Sequence, residues 1–269
     1  MTTSVSAATS FISTAIPFVN AEPHLGFAYE LVLADILARH RRRRGRDVRL
    51  QTGTDDNSLK NVVAAARAGV PVRAFVDANS AAFHALAPLL DIAPDDFLAT
   101  SRDPRHRPAV ERLWRACQAR GDLYRRTYRG RYCAGCEAFV ENDIAICAEH
   151  GTEPDIVEET NWFFRLSRYR EQVRAVLSDG RVGISADARA ETLAFLDGEV
   201  RDLSVSRDAN RASGWGIPVP DDPSQVIYVW FDALANYISA TSCDARQPSW
   251  QSSPAPSTPS SRWRVSRRR

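Results

Sequence analysis

Four residues near the middle of the chain have the types and spacing of a metal site. Cys133 and Cys136 are separated by two residues, and Cys147 and His150 repeat that spacing. Two such pairs form a knuckle that closes tetrahedrally on zinc. All four positions are supplied by protein and no open position is left, so the zinc is structural rather than catalytic. The competing reading, chance clustering in a chain of five cysteines, is the weaker one. Cys117 falls in a helical stretch and Cys243 in a polar tail, and neither needs a role.

A second candidate lies in Phe11 to Phe27, FISTAIPFVNAEPHLGF. An apolar, β-like run breaks at Pro17 and turns through Asn20, Ala21, Glu22 and Pro23. It reaches His24, Leu25 and Gly26 at the head of a helix. Backbone N–H groups at a helix N-terminus suit a phosphate, a histidine there can donate to it, and Gly26 removes a side chain that would block close approach. Ordinary strand–turn–helix packing is the plain alternative. A third candidate is Gly53-Thr54-Asp55-Asp56-Asn57, at the carboxyl end of an expected strand, where open α/β sheets bind ligands. Asp55 or Asp56 can anchor an amine, or one of them can simply cap the helix from Ser58 to Ala68.

The elements that must hold these groups follow from pattern. Phe11 to Ala15 reads as a strand, Leu25 to Arg43 as a helix, and Asp47 to Thr52 as a second strand. The helix ends in four arginines and Gly45, a basic C-terminus and a glycine stop. Strand, helix and strand over about forty residues make a βαβ unit and so a parallel sheet. Helices are expected over 72–90, with Pro71 at its start, and 105–119, with a short strand at 97–100 between them. Leu123 to Tyr132 (LYRRTYRGRY) reads as a hairpin turning near Arg129-Gly130. A strand at 158–164, helices at 165–177 and 187–197, a strand at 203–207 and an extended segment at 217–220 follow. Ile227 to Ser239 then reads as a strand running into a helix. Its aromatics Tyr228, Trp230, Phe231 and Tyr237 either pack as core or line a pocket.

Composition sets outer limits. With 269 residues, 44% hydrophobic and 25% charged, the chain can build one large or two modest cores. A net charge of +2 gives no overwhelming basic field. Lys60 is the only lysine, which excludes a Walker-type phosphate loop elsewhere. There is no 18-residue apolar run, and Met1 to Ser10 lacks the basic start of a signal peptide. Cysteines clustered with a histidine point to metal and a reducing, cytoplasmic setting rather than disulfides. Thr241 to Arg269 is rich in Ser, Pro and Arg, cannot bury enough apolar surface, and is expected to be disordered.

In order along the chain, these pieces resemble the class I aminoacyl-tRNA synthetases in their methionyl form. AIPFVNAEPHLGF resembles the family's strand and His-x-Gly-His box, and TGTDDNSLKN its TGTDEHGxKI segment. The cysteine knuckle resembles that of the connective-peptide insertion, and NWFFRLSRY the segment after it. DLSVSR, IPVP and YVWFDALANY resemble the run that closes the methionine pocket. The resemblance implies an α/β fold, the first half of a Rossmann-like parallel-sheet nucleotide-binding domain with an inserted zinc-knuckle domain. It divides the chain into a disordered start (1–10), a catalytic half (11–120), the zinc-binding insertion (121–200), a return to the catalytic domain (201–240) and a disordered tail (241–269).

Residue by residue, the resemblance implies that His24 binds the ATP phosphates and stabilises the transferring α-phosphate, with Gly26 in the same box. Asn20 and Glu30 lie beside the nucleotide, and Asp55 holds the substrate amine. Ile16, Phe18, Trp230, Ala233 and Tyr237 surround the methionine side chain, and an aromatic pocket suits a polarizable thioether. The implied partners are ATP with magnesium, methionine or a similar apolar amino acid, and tRNA.

The departures are specific. Phe27 replaces the second histidine of the box, and a phenyl ring cannot donate to a phosphate. Asn57 and Ser58 replace the family's His and Gly, and Leu234 stands where a proline is usual. The KMSKS loop and the anticodon-binding domain have no counterpart in this sequence. The tail after Ala240 reads as an out-of-frame continuation of a longer gene, and so as a truncated product. Two functional classes follow: an enzyme that activates an amino acid, and a non-catalytic zinc-stabilised module, or inactive remnant, that keeps amino-acid or RNA affinity.

Overall fold

The computed structural model describes residues 10–133, 135–136, 138–140, 143–179 and 185–240. The segments 1–9 and 241–269, expected to be disordered, lie outside the described residues, as does Cys243. Ser10, placed with the disordered start, instead opens the first strand, paired with Val48.

Strand β1 (Ser10–Ser13), helix α1 (Leu25–Arg43) and strand β2 (Val48–Thr54) form the expected βαβ unit. β3 (Asp96–Ala99) adds a third parallel strand, in the order β1-β2-β3. The fold is therefore α/β with a parallel sheet. α1 buries Phe27, Leu31, Asp35 and Ala38, spaced at three and four residues, against this sheet. Its run ends where Gly45 takes a left-handed φ of 73°. α2 (Leu59–Ala68) and α3 (Val72–Leu89) link β2 to β3, and Val19, Leu31, Leu50, Val76 and Phe83 fill the core between them.

β2 is buried almost throughout and lies between its two neighbours. Gly53 pairs with Leu98, and a Cβ at Gly53 would overlap the Leu98 carbonyl oxygen. Both partners of that clash are backbone, so Gly53→Ala is expected to lower unfolding free energy by about 2–3 kcal/mol, the upper range for overpacking. Urea denaturation of the two chains checks this.

α4 (His106–Ala119) leads into an antiparallel sheet ordered β5-β4-β6-β7. Its strands are β4 (Leu123–Cys133), β5 (Ala138–Val140), β6 (Asp155–Phe164) and β7 (Leu203–Ser204). The hairpin expected within Leu123 to Tyr132 does not exist. That stretch is one continuous strand, paired with β6 from Leu123↔Phe164 to Tyr132↔Asp155. Gly130 marks close approach, not a turn: the Tyr128 ring lies where its Cβ would be.

After a 3-10 turn at Leu166–Tyr169, α5 (Arg170–Ser178) and α6 (Ala186–Asp197) share a small cluster of Leu177, Leu196 and Val200. A third sheet, ordered β8-β10-β9, joins β8 (Ser206–Asp208), β9 (Pro218–Val219) and β10 (Asp222–Ile227). The last strand ends at Ile227, the residue at which sequence pattern alone has it begin. Two short helices follow, α7 (Val229–Leu234) and α8 (Asn236–Ser239). Among the described residues no helix is long and apolar enough to cross a membrane.

Candidate functional site

The parallel pairing of β1 and β2 continues beyond both strands. The Asp55 N–H donates to the Pro17 carbonyl at 2.8 Å, and Phe18 forms a parallel bridge with Asp55. Farther back, the Thr14 and Thr52 hydroxyls meet at 2.8 Å. Two loops leaving the carboxyl ends of adjacent strands are thus held together, and the segment carrying Ile16 and Phe18 lies beside Asp55.

Neither aspartate caps α2. Ser58 does, its Oγ accepting from Lys60 N–H at 3.0 Å. The two acids have separate surroundings. Asp56 is fully buried and accepts from Ser101 Oγ at 2.8 Å, while its carbonyl accepts from Trp215 Nε1 at 2.8 Å. Burial pushes its carboxyl above the usual range, against the opposing pull of hydroxyl bonds from Thr54 and Ser101. Asp56 therefore belongs to the framework, and Asp55 is the carboxylate in register with Phe18.

The aromatic run on α7 divides by residue. Trp230 is half exposed and meets the Phe18 ring edge-on, with centroids 6.4 Å apart. Phe231 turns into the core against Trp114 at 5.5 Å. Tyr228 lies under the Arg207 guanidinium at 4.2 Å. Ala233 is buried and Tyr237 half-buried, while Leu234 is 55% exposed. Lys60 sets its ammonium 5.0 Å from the Phe18 centroid. Of the neighbours on α7, Trp230 thus stays half exposed beside Phe18 while Phe231 packs in the core.

His24 is the N-cap of α1, and its Nδ1 accepts from Gly26 N–H at 3.1 Å. That bond leaves Nε2 as the protonated nitrogen of a neutral ring, a donor at an exposed helix N-terminus. A Cβ at Gly26 would stand 2.9 Å from His24 Cε1, so the glycine makes room for the histidine's own ring. Glu30 Oε1 accepts from Ala15 N–H at 2.6 Å, tying α1 to the chain leaving β1, and Asn20 is exposed on that same connection. Phe27 is buried and packs on Phe83 at 5.1 Å, so its ring faces the core.

The knuckle assembles as its spacing suggested. One atom from each of Cys133, Cys136, Cys147 and His150 lies within 4.8 Å of all the others. Cys136 Sγ is 3.5 Å from Cys147 Sγ and 3.3 Å from His150 Nδ1, and Cys147 Sγ is 3.8 Å from that nitrogen. A tetrahedron with ~2.3 Å metal–sulfur bonds has edges of about 3.8 Å, so donor set and spacing both fit zinc. Burial and the neighbouring thiols push the Cys136 thiol up to about 12. The cysteines among the described residues are all free thiols.

A family model described as tRNA synthetases class I (M) matches residues 10–153 and 141–253. The chain belongs to this class I tRNA synthetase family. It is 39% identical over 238 residues to the methionine–tRNA ligase of Brucella suis, covering 86% of this chain and 45% of that protein. It is 40% identical to the methionine–tRNA ligase of Thermotoga maritima, covering 86% of this chain and 37% of the relative. Among solved structures, Mycobacterium tuberculosis methionyl-tRNA synthetase bound by methionyl-adenylate superposes with a TM-score of 0.81 at 38% identity, over 86% of this chain and 47% of that one. The chain spans less than half the length of these synthetases.

Within the synthetase family the βαβ unit and its parallel sheet fit the Rossmann-like class I domain. The structure brings Ile16, Phe18, Asp55 and Trp230 to one place, with His24, Gly26 and Glu30 at the neighbouring head of α1. The knuckle assembles at the end of β4, where Gly135 and His150 line one cavity with Asn20 and Lys60. Sequence reasoning gave no role to His106 or Asp232, which hydrogen bonds join to each other and to Asn57. Their positions carry no local pattern, and only long-range folding unites them.

Proposed function

We propose that this chain is the amino-acid-activating part of a methionine–tRNA ligase. The observation that carries the reading is the register of Phe18 against Asp55 with Trp230 packed on Phe18. It supplies an anionic group for an amine beside an aromatic wall for a thioether. The methionyl-adenylate bound by the Mycobacterium tuberculosis synthetase supports the same ligand class.

In this reading Asp55 holds the α-amino group, and Ile16, Phe18, Trp230, Ala233 and Tyr237 enclose the side chain. The substrate carboxylate attacks the α-phosphorus of ATP, giving aminoacyl-adenylate and pyrophosphate, with Mg²⁺ accompanying ATP. The aminoacyl group then passes to the terminal ribose of tRNA. His24 donates from Nε2 to phosphate oxygens as charge develops, and Gly26 lets its ring fold onto the helix end. Asn20 and Glu30 lie beside the nucleotide. Positioning and charge stabilisation suffice for this chemistry, with no covalent nucleophile. Cys133, Cys136, Cys147 and His150 hold a structural zinc in an insertion spanning 121–200, between the catalytic segments 11–120 and 201–240. The setting is the cytoplasm.

A second reading, a zinc-stabilised binding module without catalysis, is favoured by two observations. Phe27 is buried, so the head of α1 presents one histidine where the family box has two. Lys60, the only lysine, sits at the Phe18 ring, so no other lysine of this chain can clamp the ATP phosphates. Methionine-dependent ATP–pyrophosphate exchange separates the readings. Exchange is expected to be slow, and His24→Ala to lower it a further ~10²–10³-fold, the usual cost of one transition-state donor. Methionine binding with no exchange above the His24→Ala variant establishes the module instead.

A further inference from the structure

His106 and Asp232 are both fully buried and lie in direct contact behind the pocket. His106 Nε2 is 2.5 Å from Asp232 Oδ1, and Nδ1 is 3.0 Å from Ser239 Oγ. Ser239 directs its own hydrogen to the Ala235 carbonyl at 2.8 Å, so its oxygen accepts from Nδ1–H. The contact at Nε2 must also hold a hydrogen, since two bare acceptors do not approach so closely. The ring and the carboxylate therefore share one proton, which keeps the pair neutral as a unit where an unpaired buried charge would be costly.

The other oxygen of Asp232 accepts from Asn57 Nδ2 at 2.7 Å. One carboxylate thus joins α4, α7 and the loop after β2, with α8 attached through Ser239. Its place in the sequence gives that junction a use. Asp232 lies between Trp230 and Ala233, and Asn57 is two residues from Asp55. A parallel tie lies alongside, where Gln51 Nε2 of β2 donates to Asn236 Oδ1 at 2.7 Å.

We propose that Asp232, sharing a proton with His106, is a positioning residue that locks the Trp230–Ala233 wall to the Asp55 loop through Asn57. The amine end and the side-chain end of the ligand are then gripped as one unit. This rests on the pocket reading given under Proposed function. A pair that served only to hold α4 against α7 would leave ligand discrimination unchanged when Asn57 is trimmed.

The test uses the full chain, Asn57→Ala and Asp232→Asn. Calorimetry gives the affinity for L-methionine and for its analogue lacking the α-amino group. Asn57→Ala removes the tie to the loop and leaves the buried pair intact. It is expected to cut the preference for L-methionine over the analogue about tenfold, within the coupling seen inside one hydrogen-bond network, while the melting temperature stays nearly constant. Imidazole ¹⁵N spectra are expected to show a hydrogen on Nδ1 of His106 in the unsubstituted chain and in Asn57→Ala, and a changed Nε2 environment in Asp232→Asn. An unchanged preference in a folded Asn57→Ala chain overturns the positioning role, and a bare Nδ1 overturns the shared proton. If the unsubstituted chain binds no methionine, the pocket reading and the positioning role fall together, and the imidazole spectrum still decides the proton.

Discussion

Asp55→Ala is expected to weaken L-methionine binding by about 30-fold or more. Removing one member of a desolvated, hydrogen-bonded charge pair costs about 2–5 kcal/mol, and ~1.4 kcal/mol is tenfold. Asp55 is buried, and its backbone is fixed by the Pro17 carbonyl and the Phe18 bridge. A ligand amine meeting it would exchange water for a preorganised carboxylate. Alanine keeps the backbone bridge, so the melting temperature should change far less than the affinity. Asp56→Ala should do the reverse. That carboxylate accepts from Ser101 inside the framework, so its loss lowers stability. Parallel calorimetry and thermal melts of the two variants separate a ligand-facing carboxylate from a structural one.

Stripping metal is expected to have the second large effect. Structural zinc sites contribute apparent binding free energies of about 10–16 kcal/mol, and that binding is coupled to folding. Cys133 ends β4 and pairs with Ala138 of β5, while Cys147 and His150 lie in the turn before β6. A Cβ at Gly135 would overlap the His150 ring, so the turn between the first two cysteines is shaped to admit that ligand. One zinc per chain by elemental analysis is the expected result, with a much lower melting temperature after chelation and recovery on adding zinc back. Cys147→Ala should reproduce the chelated state. Metal near zero after gentle purification, or melting unaffected by chelation, would rule zinc out of the knuckle.

Much of the framework is legible in the sequence because its signals are local. The three-and-four spacing of α1, its arginines and Gly45 mark that helix directly, and the two Cys/His pairs announce themselves by spacing. Where legibility fails, a side chain has more than one use. Gly130 among tyrosines and arginines looks like a turn residue, but it is glycine because the Tyr128 ring crosses it. Asp55 and Asp56 look like alternative caps because Ser58, the actual cap, follows so closely. Gly26 suits a phosphate by its position, and its second use, room for the ring of His24, shows only in the fold. The His106–Asp232–Asn57 junction is illegible in principle. Its bonds span 126 and 175 residues, and no window along the chain contains both ends.

Whether this chain is built to hold methionine is decided by calorimetric titration of the zinc-loaded protein with L-methionine, beside leucine and the Asp55→Ala variant. Saturable binding of one methionine per chain is the predicted result, markedly tighter than leucine and lost on Asp55→Ala. No saturable binding, or equal affinity for leucine and for the variant, would contradict it.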